Sequence, residues 1–151
     1  MQKDPSVSAR YACLLLAACL ALPTGARAAA SCTLTITNVA FGDYDVFTKT
    51  KTKSNGKVKV KCSATETYTI LLSAGSGTFA SRVMLAGSYR LDYNLYVDSA
   101  HTMIWGDGTS GTSTVSSTDT GATYTVYGLV PALQNVPVGS YSDTITVTVT
   151  Y

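Results

Sequence analysis

Side chains able to do chemistry are few and thinly spread in this sequence. His101 is the only histidine. Beyond residue 28 the cysteines are Cys32 and Cys62 alone, with Cys13 and Cys19 preceding them. Two thiols and one imidazole cannot by themselves complete a four-ligand zinc site. Asp98, Asp107 and Asp119 offer oxygen donors, but their spacing does not fit an EF-hand loop. Serine, histidine and aspartate all occur, yet a triad is judged by geometry. A lone histidine beside a Gly/Ser-rich stretch offers no nucleophile–base pair, and it reads as an exposed loop residue. No glycine loop opens a helix to hold a phosphate. No basic and aromatic residues interleave as in nucleic-acid modules. These residues predict no enzyme, cofactor, metal site or nucleic-acid partner.

Two patterns remain that suit binding. Lys49, Lys51, Lys53, Lys57, Lys59 and Lys61 alternate across Asn55-Gly56. Asn-Gly is a strong hairpin signal, so a turn is expected there. Two extended arms would then place most of these lysines on one face. Such a face is either a patch for a polyanion, a surface polysaccharide for example, or a solvated surface that discourages edge pairing. The run Trp105-Gly106-Asp107-Gly108 is either a loop that stacks on sugars or a core tryptophan before a tight turn.

The elements that must carry these residues begin after an address segment. Residues 1–28 read as a signal peptide. Lys3 and Arg10 form a weakly basic start, residues 11–22 are an apolar run, and Ala26-Arg27-Ala28 offers a cleavage pattern. The run is too short to span a bilayer, which needs about 20 apolar residues. Leu16-Ala17-Ala18-Cys19 also matches a lipobox, which would put a lipid on Cys19. The whole chain carries 11 basic and 9 acidic side chains. The leader takes Lys3, Arg10, Arg27 and Asp4, leaving 8 of each sign in residues 29–151. That segment is a single-domain length with enough residues for one core. In an exported chain, its even pair Cys32 and Cys62 is most simply a disulfide.

Strand signals dominate this segment. Thr, Val and Tyr are frequent, Glu66 is the only glutamate, and no 3.6-residue apolar period is sustained. Residues 32–37, 57–62, 68–72, 90–97, 123–127 and 144–151 read as strands. Gly75-Ser76-Gly77, Gly106-Asp107-Gly108 and Pro137-Val138-Gly139 mark loops. Residues 106–122, rich in Gly, Ser and Thr, are expected to be the most mobile loop. Short strands between regular turns predict an antiparallel β-sandwich. In the last strand Ile145, Val147, Val149 and Tyr151 alternate with Thr144, Thr146, Thr148 and Thr150. With no further strand after it, that strand is expected at an edge that invites pairing with another chain.

Several motifs, in order, resemble the spore coat protein U domain family. They are Phe41-Gly42-Asp43-Tyr44-Asp45 after Cys32, Val60-Lys61-Cys62, and the run Leu91-Asp92-Tyr93-Asn94-Leu95-Tyr96-Val97-Asp98. Trp105-Gly106-Asp107-Gly108, Tyr127-Gly128 and Pro137-Val138-Gly139-Ser140-Tyr141-Ser142-Asp143-Thr144 continue the match. The resemblance implies an all-β, immunoglobulin-like sandwich lacking its final strand, and it favours a core role for Trp105. It implies a non-enzymatic subunit of a bacterial surface fibre or coat, exported through the periplasm to the cell surface, pilus or spore coat. Its partners would be a periplasmic chaperone that lends a strand, an outer-membrane usher, and neighbouring pilin or coat subunits. Strand addition gives affinity through main-chain bonds and specificity through alternate side chains. Leu34, Ile36, Ile145, Val147, Val149 and Tyr151 are expected to line the acceptor groove. Only Ala29, Ala30 and Ser31 separate the leader from Cys32, too few for a donor segment. An alternative is therefore a tip adhesin of a chaperone–usher pilus that binds glycan or apolar surfaces.

Overall fold

A computed structural model describes residues 30–151. The expected signal peptide, its cleavage site and Cys19 lie outside the described residues. Eight strands follow in chain order. They are β1 (Cys32–Thr37), β2 (Thr52–Cys62), β3 (Glu66–Leu72), β4 (Arg82–Ala86), β5 (Tyr89–Tyr96), β6 (Val115–Asp119), β7 (Thr123–Val130) and β8 (Val147–Thr150). They form two antiparallel sheets, ordered β1-β2-β7-β5-β4 and β6-β3-β8. Period-two alternation drives the arrangement. On β2, Val58, Val60 and Cys62 are buried while Lys57, Lys59 and Lys61 are exposed. The inward residues of both sheets, among them Val58, Val60, Tyr68, Ile70, Leu95 and Val130, make one core.

The Cys32–Cys62 disulfide ties β1 to β2. The two residues face each other in the β1–β2 register. Closing a loop with a sequence separation of 30 removes about 3–4 kcal/mol of unfolded-chain entropy in the loop-closure description.

The Asn55-Gly56 hairpin does not form. Both residues lie inside β2, opposite Tyr127 and Val126 of β7. The glycine answers a packing need instead of a turn. A Cβ on Gly56 would lie 2.6 Å from the Thr37 carbonyl oxygen and 2.8 Å from Val39 Cγ2. At Gly128 a Cβ would lie 2.6 Å from Val39 Cγ1 and 2.8 Å from the Phe41 ring. The chain leaving β1 crosses the inner face of the sheet over these two bare positions. The lysines are consequently not spread over two hairpin arms. Lys53, Lys57, Lys59 and Lys61 belong to one strand, and Lys49 and Lys51 to the loop before it.

Two strands escape the periodicity reading. β4 carries a buried arginine among apolar residues. β6 falls within the stretch expected to be a loop. It pairs with β3 through hydroxyl ladders, with Thr67 and Thr118 Oγ1 atoms 2.8 Å apart and Thr69 Oγ1 2.9 Å from Ser116 Oγ. The last strand is shorter than expected, because residues 144–146 run irregularly before β8.

Candidate functional site

The candidate site is a groove beside β8. Within its sheet β8 pairs only with β3, and β1 pairs only with β2. The outer edge of each therefore has no neighbouring strand among the described residues. Hydrogen-bond directions alternate along antiparallel strands. Ser73 N–H donates to Thr146 O at 3.0 Å, so Thr148 and Thr150 turn their peptide groups towards β3. Val147 and Val149 turn theirs to the open edge. Ser63 N–H donates to Ser31 O at 2.9 Å, and the same alternation leaves the peptide groups of Leu34 and Ile36 on the open edge of β1.

The groove has a volume of about 1160 Å³. Its floor is the inner face of the large sheet, with Val58, Val126, Leu91 and Leu95. It is deep: Val58 and Val130 are only 1% and 0% exposed. Of the expected lining residues, Ile36, Ile145 and Val147 border it. Leu34 stands at the β1 edge, 38% exposed, and Tyr151 is 58% exposed at the end of β8. Val149 packs against the core.

Both rims are held by specific bonds. Residues 36–46 form one rim. Ala40 O accepts from Ser54 Oγ at 2.6 Å, Tyr44 Oη donates to Pro131 O at 2.8 Å, and Gln134 N–H donates to Tyr44 Oη at 2.8 Å. Residues 136–145 form the other. Leu85 and Ser142 exchange backbone bonds at 2.8 and 3.1 Å. The Asp143 carboxylate accepts from Tyr93 Oη at 2.7 Å and from Ser76 N–H at 3.0 Å. Burial, with the Asp143 bond and charge adding to it, pushes the Tyr93 pKa far up, so this phenol stays a donor. A groove with fixed rims can receive a strand without first ordering them.

The other residues singled out by type have structural roles. Trp105 is 0% exposed and donates from Nε1 to Ile70 O at 3.1 Å, so it belongs to the core. Its neighbours link the sheets: Trp105 N–H donates to Leu95 O at 2.9 Å, and Leu72 N–H donates to Gly106 O at 3.0 Å. Asp98 accepts from the N–H groups of Met103 and Thr102 at 2.8 and 3.1 Å, and Asp107 from Thr109 N–H at 2.9 Å. Among the described residues no cluster of three or more His, Cys, Asp or Glu side chains could hold a metal ion. His101 is not the exposed loop residue expected. Its ring lies edge-on to Tyr96 and Tyr127, with centroids 5.3 and 6.2 Å away. Both ring nitrogens are buried without a partner. The signal missed was the pair of outward tyrosines two strands apart in sequence and adjacent in the sheet.

Asp119 anchors a polar cluster whose members are not among the groove-lining residues. Its carboxylate accepts from Ser117 Oγ, from Tyr68 Oη at 2.8 Å and from Gly121 N–H at 2.6 Å. Tyr68 Oη lies 2.8 Å from Tyr124 Oη of the opposite sheet. These bonds, the Ser117 one most, hold the Asp119 pKa below the ordinary carboxylate value. Bonds from Met103 and Thr109 do the same for Asp98 and Asp107. A carboxylate depressed in the folded state stabilises it above the unfolded pKa, about 3.9. That contribution fades as pH falls through the lower folded pKa. The melting temperature should therefore be insensitive to these groups from pH 7 to about 5 and drop below about 4. Asp119→Asn should reduce the acid drop, and thermal melts across pH 2–7 would show it. A drop that the substitution leaves unchanged would contradict the assignment.

The fold is an antiparallel, immunoglobulin-like sandwich with one flank open between two strand edges. The Spore Coat Protein U (SCPU) domain profile matches residues 17–148, and the chain belongs to that family. Protein U of Myxococcus xanthus is 42% identical over 62 residues, 40% of this chain and 34% of that protein. The chain thus spans about a third of that relative's length. Among solved structures it is similar to a chain of the CsuC–CsuE chaperone–tip adhesion subunit pre-assembly complex, from archaic chaperone–usher Csu pili of Acinetobacter baumannii. That match has a TM-score of 0.59 and 23% identity, covering 82% of this chain and 40% of the other. It establishes a shared fold. HdaB, the minor tip subunit of the E. coli Hda pilus, matches with a TM-score of 0.43 and 15% identity over 78% of this chain and 79% of its own. Among the described residues no helix is long and apolar enough to cross a membrane.

Proposed function

We propose that this chain is a structural, non-enzymatic subunit of a bacterial surface fibre or coat, and that a β-strand from a second chain completes its sandwich. The strand comes first from a periplasmic chaperone and then from a neighbouring subunit, delivered through an outer-membrane usher. The protein is exported, processed near residue 28, and placed at the cell surface. One observation supports this reading above others. The open edges of β1 and β8 flank a deep groove with an apolar floor; Ile36 and Val147 line it, and the peptide groups of Leu34, Ile36, Val147 and Val149 have no neighbouring strand along those edges. An unpaired, regular edge next to core side chains is a template for strand addition. Membership of the spore coat protein U family and the fold shared with a pilus subunit agree with it.

Burying four apolar side chains of an inserted strand contributes about 6–12 kcal/mol before ordering costs, at about 1.5–3 kcal/mol each. That is comparable to the whole stability of a small domain. The test is recovery of the exported chain from the periplasm. The reading predicts an equimolar complex whose partner strand cross-links to residues 145–149. Recovery of the chain as a cooperatively folded monomer with no partner would remove it.

A further inference from the structure

We propose that the outer face of the five-stranded sheet binds an anionic polysaccharide along the β2 lysines. This face is the opposite side of the sheet from the groove floor, so the inference does not depend on strand acceptance.

Lys57, Lys59 and Lys61 are exposed and alternate with buried Val58 and Val60. On one strand face, alternate residues stand about 6.5–7 Å apart. The three ammonium groups therefore form a row, and Lys53 prolongs it beyond Asn55. Cross-strand partners flank the row with hydroxyls. Thr35 and Thr123 lie on either side of Lys59, and Thr37 and Thr125 on either side of Lys57. One register step further, Tyr127 stands opposite Asn55, with Tyr96 beyond it. His101 braces both tyrosine rings edge-on.

Charge sets the class of ligand. Residues 29–151 are balanced in charge, yet β1, β2 and β7 contain no aspartate or glutamate. Like charges on neighbouring positions of one sheet face repel, and here no carboxylate on the three strands relieves them. A ligand bearing regularly spaced carboxylates or sulfates would. Hydroxyls beside Lys57, Lys59 and Lys61 match the polar rim of a sugar, and braced tyrosine rings offer a face to its apolar side. A linear acidic polymer fits this ladder better than a compact anion, because the cations extend along one line without converging on a point.

The experiment measures binding of the full chain, in the form the cell exports, to immobilised polygalacturonate, dextran sulfate and neutral dextran at low and moderate salt. Binding is expected to at least one acidic polymer, weakening as salt rises, and not to neutral dextran. The variant Lys57→Gln/Lys59→Gln/Lys61→Gln should lose at least tenfold in affinity. The variant Lys49→Gln/Lys51→Gln removes charge from the loop before β2, outside the Lys57–Lys61 row, and should lose much less per charge removed. Both variants retain buried positions, and unchanged melting curves would confirm their fold. The proposal is overturned if neither acidic polymer binds, if neutral dextran binds equally, or if the two variants lose affinity alike per charge removed. Preference for polygalacturonate over dextran sulfate, or the reverse, identifies the anionic group.

Discussion

Arg82→Met should destabilise the strand-completed protein by about 3–5 kcal/mol, because buried acceptors lose their donors at about 1–3 kcal/mol each. Arg82 is 0% exposed. Its Nε and Nη2 donate to Ser73 O at 3.0 and 2.8 Å, Nη2 also donates to Trp105 O at 2.7 Å, and Nη1 donates to Asn94 Oδ1 at 2.7 Å. The guanidinium lies over the Phe79 ring, 5.6 Å from its centroid. Burial pulls its pKa below the ordinary guanidinium value, and the Tyr93 and Asp143 charges partly restore it. One planar fork thus joins β4, β5, the end of β3 and the tryptophan segment. Methionine fills part of the space but leaves the Ser73 and Trp105 carbonyls without donors, at about 1–3 kcal/mol each, and leaves Asn94 Oδ1 with the Leu95 N–H alone. Arg82→Lys keeps the charge and loses the fork, so it should also destabilise. Thermal denaturation should show a loss of about 10 °C or more for Arg82→Met. A loss within about 2 °C would mean that the neighbours find other partners.

Val147→Asp should abolish capture by the partner strand, whereas Thr148→Asp should not. Val147 borders the groove and is half-buried, while Thr148 is exposed on the other face of β8. An aspartate at 147 would be desolvated between the apolar groove floor and the inserted strand, a penalty of several kcal/mol. Every 1.4 kcal/mol is tenfold in affinity, so co-purification with the partner should fall by at least about 100-fold. Both variants add the same charge to the same strand. Equal recovery of the two in complex would show that the groove face of β8 does not receive the strand.

The fold class was legible because burial follows period two along β2, β3 and β8. The disulfide was legible from the number of cysteines and the expected export. Asn55-Gly56 misled, because glycine also serves where another segment must approach the backbone, and local sequence does not separate that use from a turn. β6 was hidden because its ladder with β3 uses serine and threonine hydroxyls, which read as loop residues. β4 was hidden because a buried arginine breaks the apolar pattern, and its partners Ser73, Asn94 and Trp105 are distant in sequence. The candidate groove was legible at Ile36, Ile145 and Val147. The rest of its first rim, residues 37–46, was not, because nothing local indicates that the segment after β1 folds inward over Gly56 and Gly128.

The central claim is that the open edge of β8 is filled by another chain, and amide hydrogen exchange at Val147 and Val149 reads it directly. Those amides point away from β3, whereas those of Thr148 and Thr150 point towards it. In the chain freed from its partner, Val147 and Val149 should exchange rapidly while Thr148 remains protected. In the assembled fibre or chaperone complex all should be slow. Protection of Val147 and Val149 in the isolated chain, unchanged on assembly, would mean that the edge is already occupied and would contradict the account.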